Sequence, residues 1–150
     1  WAEGNNLNNG RREHGAALAA PMTTSLVFGG IRYSPTPVTG VGYTESYDGT
    51  SWTEANDMNT GRHEIGSGGA TQTEAIAFGG STPGTTIKDE VEEWDGTSWT
   101  EAADISTGRR QPALGNGIAT AALCIGGNPP PSSAVEEWDK SIGVVSFTSS

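Results

Sequence analysis

The chain has 150 residues and a formal net charge of −10, with eight basic residues scattered along it, so a nucleic-acid backbone is excluded as an expected partner. Hydrophobic content is low at 33%, and no apolar run approaches the roughly 18 residues of a membrane-spanning helix, which excludes membrane insertion by helices. With 22 glycines and eight prolines the composition borders on that of a flexible segment, but five tryptophans and regularly spaced apolar stretches predict a packed fold.

No signal-peptide pattern opens the chain, and it begins with Trp1 rather than Met, so it is expected to be processed or a fragment of a longer product. "WAEGNNLNNGRRE" leads into "HGAALAA" and "TSLVFGG", which read as two adjacent strands joined through Pro21, Met22 and Thr23. Alanine would tolerate a helix here, but the pieces are short and glycine closes each one. A long segment, "IRYSPTPVTGVGYTE", then reaches a third strand ending in "YTESYD". Its period-two alternation predicts a half-exposed strand. Asp48-Gly49 is a hairpin signal, and "SWTEA" starts a fourth strand.

The same order returns twice. "GATQTEAIAFGG", "STPGTTIKDE", "EVEEWD" and "SWTEA" follow, with Asp95-Gly96 as the turn; then come "GIATAALCIGG", "NPPPSSA", "AVEEWD" and "KSIGVVSF". Trp1, Trp52 and Trp99 head the copies, and Arg11, Arg62 and Arg109 each stand ten residues later. From each arginine to the first glycine of a Gly-Gly pair is 18, 17 and 17 residues, whereas from the second glycine to the next aromatic (Tyr47, Trp94, Trp138) is 17, 14 and 11. Constant core spacing with one variable connection predicts a repeat scaffold with a variable face. Units of 1–51, 52–98 and 99–150 make one domain, 1–150.

Four short antiparallel strands in some 47 to 51 residues predict a blade of a β-propeller. Small residues would let the innermost strands crowd together. Trp52, Trp94, Trp99 and Trp138 would fill the space between blades, and Arg11, Arg62 and Arg109 would pack or hydrogen-bond at the junctions. The fold class expected is therefore all-β, with three four-stranded blades that belong to a larger ring completed by further blades or by other copies of the chain.

The ensemble of arginine, apolar strand, Gly-Gly, aromatic-Asp, turn and tryptophan, quoted in "GRHEIGSGGATQTEAIAFGG…VEEWDGTSW", resembles the kelch repeat across nearly the whole chain. The wording "WDGTSWTEAADISTGRR" is similar to kelch-like proteins encoded by phages, marine ones especially, in which repeats precede a short β-rich end such as "VVSFTSS". That resemblance implies a propeller acting as a binding platform. Some kelch relatives are galactose-oxidase-like enzymes, but their copper chemistry needs a tyrosine joined to a cysteine. Here Cys124 has no tyrosine near it in sequence.

No catalytic, cofactor or metal motif is found. Cys124, in "AALCIGG", reads as a small buried hydrophobe. His14 and His63 sit at unequal repeat positions, and a metal would need three or four converging ligands. Glu92-Glu93 and Glu136-Glu137 are adjacent on strands and so point to opposite faces. One of each pair is expected in solvent, the other against a repeat arginine. "SYDGTSW" is similar to the Asp-box of sialidases, with one residue fewer, and Asp48 and Asp95 read as turn-formers. The expected function is a non-catalytic structural or adhesive module of a virion or other extracellular assembly. It would present its loops to other particle proteins or to a host surface glycan through Tyr33, Pro35, Tyr43, Lys88 and Pro130. A glycan-acting enzyme on the same scaffold and a kelch-type protein–protein adaptor are the alternatives. No cofactor is expected.

Overall fold

The computed structural model describes residues 3–17, 23–32, 39–83, 86–112, 117–129, 133–140 and 143–147. In chain order the strands are β1 (Gly15–Ala16), β2 (Ser25–Phe28), β3 (Ile31–Arg32), β4 (Thr39–Gly40), β5 (Thr44–Tyr47) and β6 (Trp52–Ala55). They continue as β7 (Gly66–Thr71), β8 (Glu74–Phe78), β9 (Ser81–Thr82), β10 (Thr86–Ile87), β11 (Val91–Trp94) and β12 (Trp99–Glu101). The last four are β13 (Gly117–Ile118), β14 (Ala121–Ile125), β15 (Val135–Asp139) and β16 (Gly143–Phe147). The described residues contain no helix, and the fold is all-β.

Three four-stranded antiparallel sheets account for most of these strands, in the orders β1-β2-β5-β6, β7-β8-β11-β12 and β13-β14-β15-β16. Each sheet is a meander. Its last turn in the first two sheets is the Asp-Gly hairpin: Asp48 Oδ1 accepts from the Thr50 and Ser51 amides at 2.8 Å, and Asp95 Oδ1 accepts from Thr97 and Ser98 at 2.8 Å. These amide donors hold both exposed carboxyls below the ordinary aspartate range. The repeat counted from tryptophan is out of phase with the sheets by one strand. Trp52 and Trp99 open the fourth strand of the first and second sheets, and the third sheet takes β16 in that place.

The sheets pack face to face through two apolar clusters. Between the first and second sheets, Leu26 and Phe28 meet Met58, Ile65, Ala75, Ala77, Trp94 and Trp99. Phe28 and Trp99 lie edge to face with centroids 4.7 Å apart, and the Trp99 indole N–H donates to Thr44 Oγ1 at 2.9 Å. Between the second and third sheets, Ile76, Phe78 and Val91 meet Ile105, Ala122 and Cys124, with Trp138 packed against them. Strand alternation explains the division: on β8, Ala75 and Ala77 face one neighbour and Ile76 and Phe78 the other. First strands adjoin at their glycines, since a Cβ on Gly15 would come within 3.0 Å of Ser67 Cβ.

The tryptophans differ in depth. Trp94 and Trp99 are buried, Trp138 is half-buried with its indole N–H on Ala119 O, and Trp52 is half-buried with its indole N–H on Asn5 O. Among the described residues, two of the segments that the sequence presents as plain loops between second and third strands contain secondary structure. β3 with β4 and β9 with β10 form small two-stranded ribbons.

Candidate functional site

A repeated charge clamp positions the ends of these ribbons. Arg62 is fully buried. Its Nη1 donates to Gly79 O at 2.8 Å and Glu90 O at 2.7 Å, and its Nη2 donates to Glu92 Oε1 at 2.8 Å. Glu92 is fully buried as well and accepts the Asn59 amide at 2.7 Å. Arg109 repeats the arrangement on Gly126 O, Ala134 O and Glu136, and Glu136 accepts the Ser106 amide at 2.6 Å. Arg11 Nη1 lies 2.9 Å from Glu45 Oε1, and Glu45 takes the Asn8 amide at 2.7 Å. A buried carboxylate survives desolvation only with such partners. The Arg62 and Arg109 guanidinium groups each tie the Gly-Gly corner of one strand to the start of the next, so the variable connection leaves from a fixed base.

The residue after each repeat arginine then clips that base. Arg12 bridges Ile31, His63 bridges Ser81 and Arg110 bridges Asn128, each as an isolated antiparallel bridge. One position further on, Glu13, Glu64 and Gln111 adopt left-handed backbone conformations with φ of 60°, 56° and 50°. Their side chains converge across the three units. His63 Nδ1 stands 3.2 Å from Glu13 Oε2, Arg110 Nη1 donates to Glu64 Oε2 at 3.0 Å, and Gln111 Nε2 donates to Glu64 Oε1.

Within this cluster, Ser81 Oγ lies 3.2 Å from His63 Nε2, so hydroxyl, imidazole and carboxylate follow the order of a nucleophilic triad, but His63 Nδ1 makes no aligned hydrogen bond to Glu13. Ser81 has no solvent exposure and its backbone is paired on both sides to His63, so a substrate carbonyl has no path to the hydroxyl. The constellation braces neighbouring units.

The sequence-proposed contact residues are distributed along separate connections. Tyr33, Pro35 and Pro130 lie outside the described residues. Tyr43 is half-buried at the foot of the first connection, with the Arg32 guanidinium 5.7 Å from its ring centroid. Lys88 Nζ is 2.6 Å from Glu90 Oε1, and its backbone joins Gly80 and Arg109, so its charge is already engaged. Burial opposes ionisation of Glu90, but the Lys88 ammonium together with the Arg62 charge and a Thr60 hydrogen bond lowers the carboxyl pKa. Cys124 is buried, and desolvation pushes its thiol up to about 11. No three His, Cys, Asp or Glu side chains gather at metal-binding distance among the described residues. An open cleft of about 460 Å³ between the outer parts of the second and third sheets is crossed by the ion pair of Lys140 with Glu93, 3.1 Å apart.

Glu13, Glu64 and Ser81 escape a motif search. Their one sequence signal is the repeat itself, which puts an acid or amide two residues after each arginine.

No protein-family model matches the chain, and no curated protein does. Among solved structures, one titled "Structure of YjhT" superimposes with a TM-score of 0.73 at 15% identity, covering 92% of this chain and 52% of that one. The chain spans about half the length of that structure, and the likeness at this identity is one of fold.

Proposed function

We propose that the chain is a non-catalytic, kelch-like module of three propeller blades that presents variable connections for contact with protein or glycan in a virion or other extracellular assembly. Support comes from one observation. The three sheets carry the same arginine–glutamate pairing, while the connections leaving that base differ in length and form, from the β3–β4 ribbon to the shorter β9–β10 ribbon. Evolution of a contact surface needs such a division between fixed base and free tip. The first connection, longest and carrying Tyr33, Pro35 and Tyr43, is the one assigned to a sugar ring or an apolar protein surface. Lys88 and Pro130 would belong to the neighbouring connections of the same surface.

The test is binding of the intact chain to a glycan array and to the other proteins of its assembly, compared with a variant in which residues 33–38 are replaced by a two-residue Asn-Gly turn. Loss of binding with unchanged thermal unfolding is expected. Identical signals from both proteins would overturn the assignment of the first connection.

A further inference from the structure

The junctions between sheets repeat, and among the described residues an unmatched half-junction stands on each side. At the first junction Gly30 N–H donates to Arg62 O at 2.8 Å, and Glu64 N–H donates back to Glu13 O at 2.9 Å. At the second, Gly80 N–H donates to Arg109 O at 2.8 Å, and Gln111 N–H donates back to Glu64 O at 2.8 Å. Counting one repeat further, the trailing side offers Gly127 N–H and Gln111 O, while the leading side offers Arg11 O and Glu13 N–H. Among the described residues none of these four groups has a backbone hydrogen bond. Their aim is the same as that of the paired ones: φ is 109°, 97° and 112° at Gly30, Gly80 and Gly127. Among the described residues two donors and two acceptors therefore remain, with the polarity each needs from the other.

The apolar surface follows the same logic. Phe28 and Phe78 are 0% and 3% exposed under the next sheet, whereas Ile125 at the same repeat position is 36% exposed. Leu26 and Ile76 are fully buried, and their counterpart Leu123 is half-exposed. Ile125 and Ile118 are the large hydrophobic residues exposed among the described residues, and both belong to the third sheet. On the leading side, Leu7 is half-buried where its counterparts Met58 and Ile105 are each 5% exposed.

We infer that the open face of the third sheet receives the leading face of the first sheet of a second copy of this chain, and that the two copies close head to tail. Gly127 N–H donates to Arg11 O of the other copy, Glu13 N–H donates to Gln111 O, and Leu7 covers Ile125. A second copy fits the length as well, since one chain spans 52% of the solved structure whose fold it shares. Heterologous contacts of this kind form a closed ring when the rotation per unit returns on itself, and two identical junctions then seal both open sides. This rests on the repeat-scaffold reading above and supplies its partner. Mass is measured without any loop ligand, so either idea can fail alone.

Sedimentation equilibrium of the 150-residue chain at about 1–100 µM is expected to give twice the 15.5 kDa of one chain. Ile125→Glu and Leu7→Glu, each on one side of the junction, are expected to weaken association by about 30-fold or more. An equimolar mixture of the two variants is expected to re-form the pair, because one of its two junctions is intact. Single-chain mass for the unaltered protein, a ladder of larger species, or no recovery in the mixture would overturn the inference. If either variant does not fold, amide exchange of the unaltered chain decides. The Glu13 and Gly127 amides slow with rising concentration if the copies dock, and exchange at one rate throughout if they do not.

Discussion

Arg62 and Arg11 hold the same repeat position, yet they are satisfied to different depths. Arg62, with a sheet on either side, makes three aligned hydrogen bonds to two carbonyls and a carboxylate, and only its Nε lacks a partner. Arg11 belongs to the first sheet. It keeps its ion pair with Glu45, but none of its guanidinium nitrogens makes an aligned hydrogen bond among the described residues, and desolvation lowers its pKa. A neighbouring sheet thus does more than cover apolar surface. Arg109 makes the same bonds in the third sheet, which packs on the second alone, so the complete clamp goes with a sheet on the leading side, the side on which Arg11 has none among the described residues.

The largest effect should come from breaking the complete clamp. Arg62→Met leaves the buried Glu92 carboxylate and the Gly79 and Glu90 carbonyls without their donor, at a cost of about 3–5 kcal/mol. Arg11→Met removes an ion pair but fewer hydrogen bonds and should cost clearly less. Urea unfolding of both variants, followed by tryptophan fluorescence, gives the difference. Equal losses would mean that the pairing with glutamate, and not the carbonyl bonds, carries the clamp.

Trp99 and Trp52 extend the comparison to packing. Trp99→Ala empties a site between Phe28, Trp94 and Thr44 and should cost about 3–5 kcal/mol. Trp52 meets the Tyr47 ring at 4.9 Å, tilted by 35°, donates its indole N–H to the exposed Asn5 O and is half-exposed, so Trp52→Ala should cost about 1 kcal/mol. Thermal unfolding midpoints rank the two.

Gly80 and Gly127 extend the comparison to the second glycine of the Gly-Gly corner. Both have positive φ, which penalises any side chain. A Cβ on Gly80 would also meet His63 O at 2.8 Å and Ile65 Cγ2 at 2.7 Å, in the segment that leads into its own sheet, whereas on Gly127 its nearest neighbours are Arg109 side-chain carbons at 3.1 and 3.2 Å. Gly80→Ala should therefore destabilise by about 1–3 kcal/mol, and Gly127→Ala by less in the single chain. If the two costs are equal, backbone strain alone sets both.

Much of this was legible in the letters, because the features that mark it are local. Gly-Gly ends a second strand since Gly29, Gly79 and Gly126 turn with φ of 65°, 62° and 64°, and Asp-Gly marks a hairpin because a carboxylate caps the two amides that follow. The spacing of arginine and aromatic then gave the strand order. The ribbons were not legible: β3 and β9 are two residues each, too short for an alternation to register, and proline and glycine around them read as loop. Nor were Glu13 and Glu64, since a left-handed non-glycine residue has no signature of its own. It is held by a hydrogen bond to the neighbouring unit, some fifty residues away in sequence. Lys88 looked like a free contact because its carboxylate partner, Glu90, could equally have faced solvent on the next strand start.

The gentlest probe of the same contrast is a residue pair, His14 and Ile65, that also shares a repeat position. Ile65 is buried in the first junction and packs against Gly29 and Gly80, whereas His14 occupies the leading side. Burial, and then the nearby Arg11 charge, lower the His14 pKa from its ordinary 6.5. A neutral imidazole is therefore favoured in the folded chain, while the unfolded chain takes up the proton first as pH falls. The sign follows: stability is full above pH 6.5 and declines as the medium is acidified toward the folded-state pKa. The Asp48 and Asp95 carboxyls act in the same direction only below their ordinary 3.8 and leave this window clear. His14→Leu, which restores the apolar character of Ile65, should flatten the decline in urea midpoint between pH 7.5 and pH 5.5. A decline of the same size in the variant would place the acid sensitivity elsewhere and leave the leading side indifferent to charge.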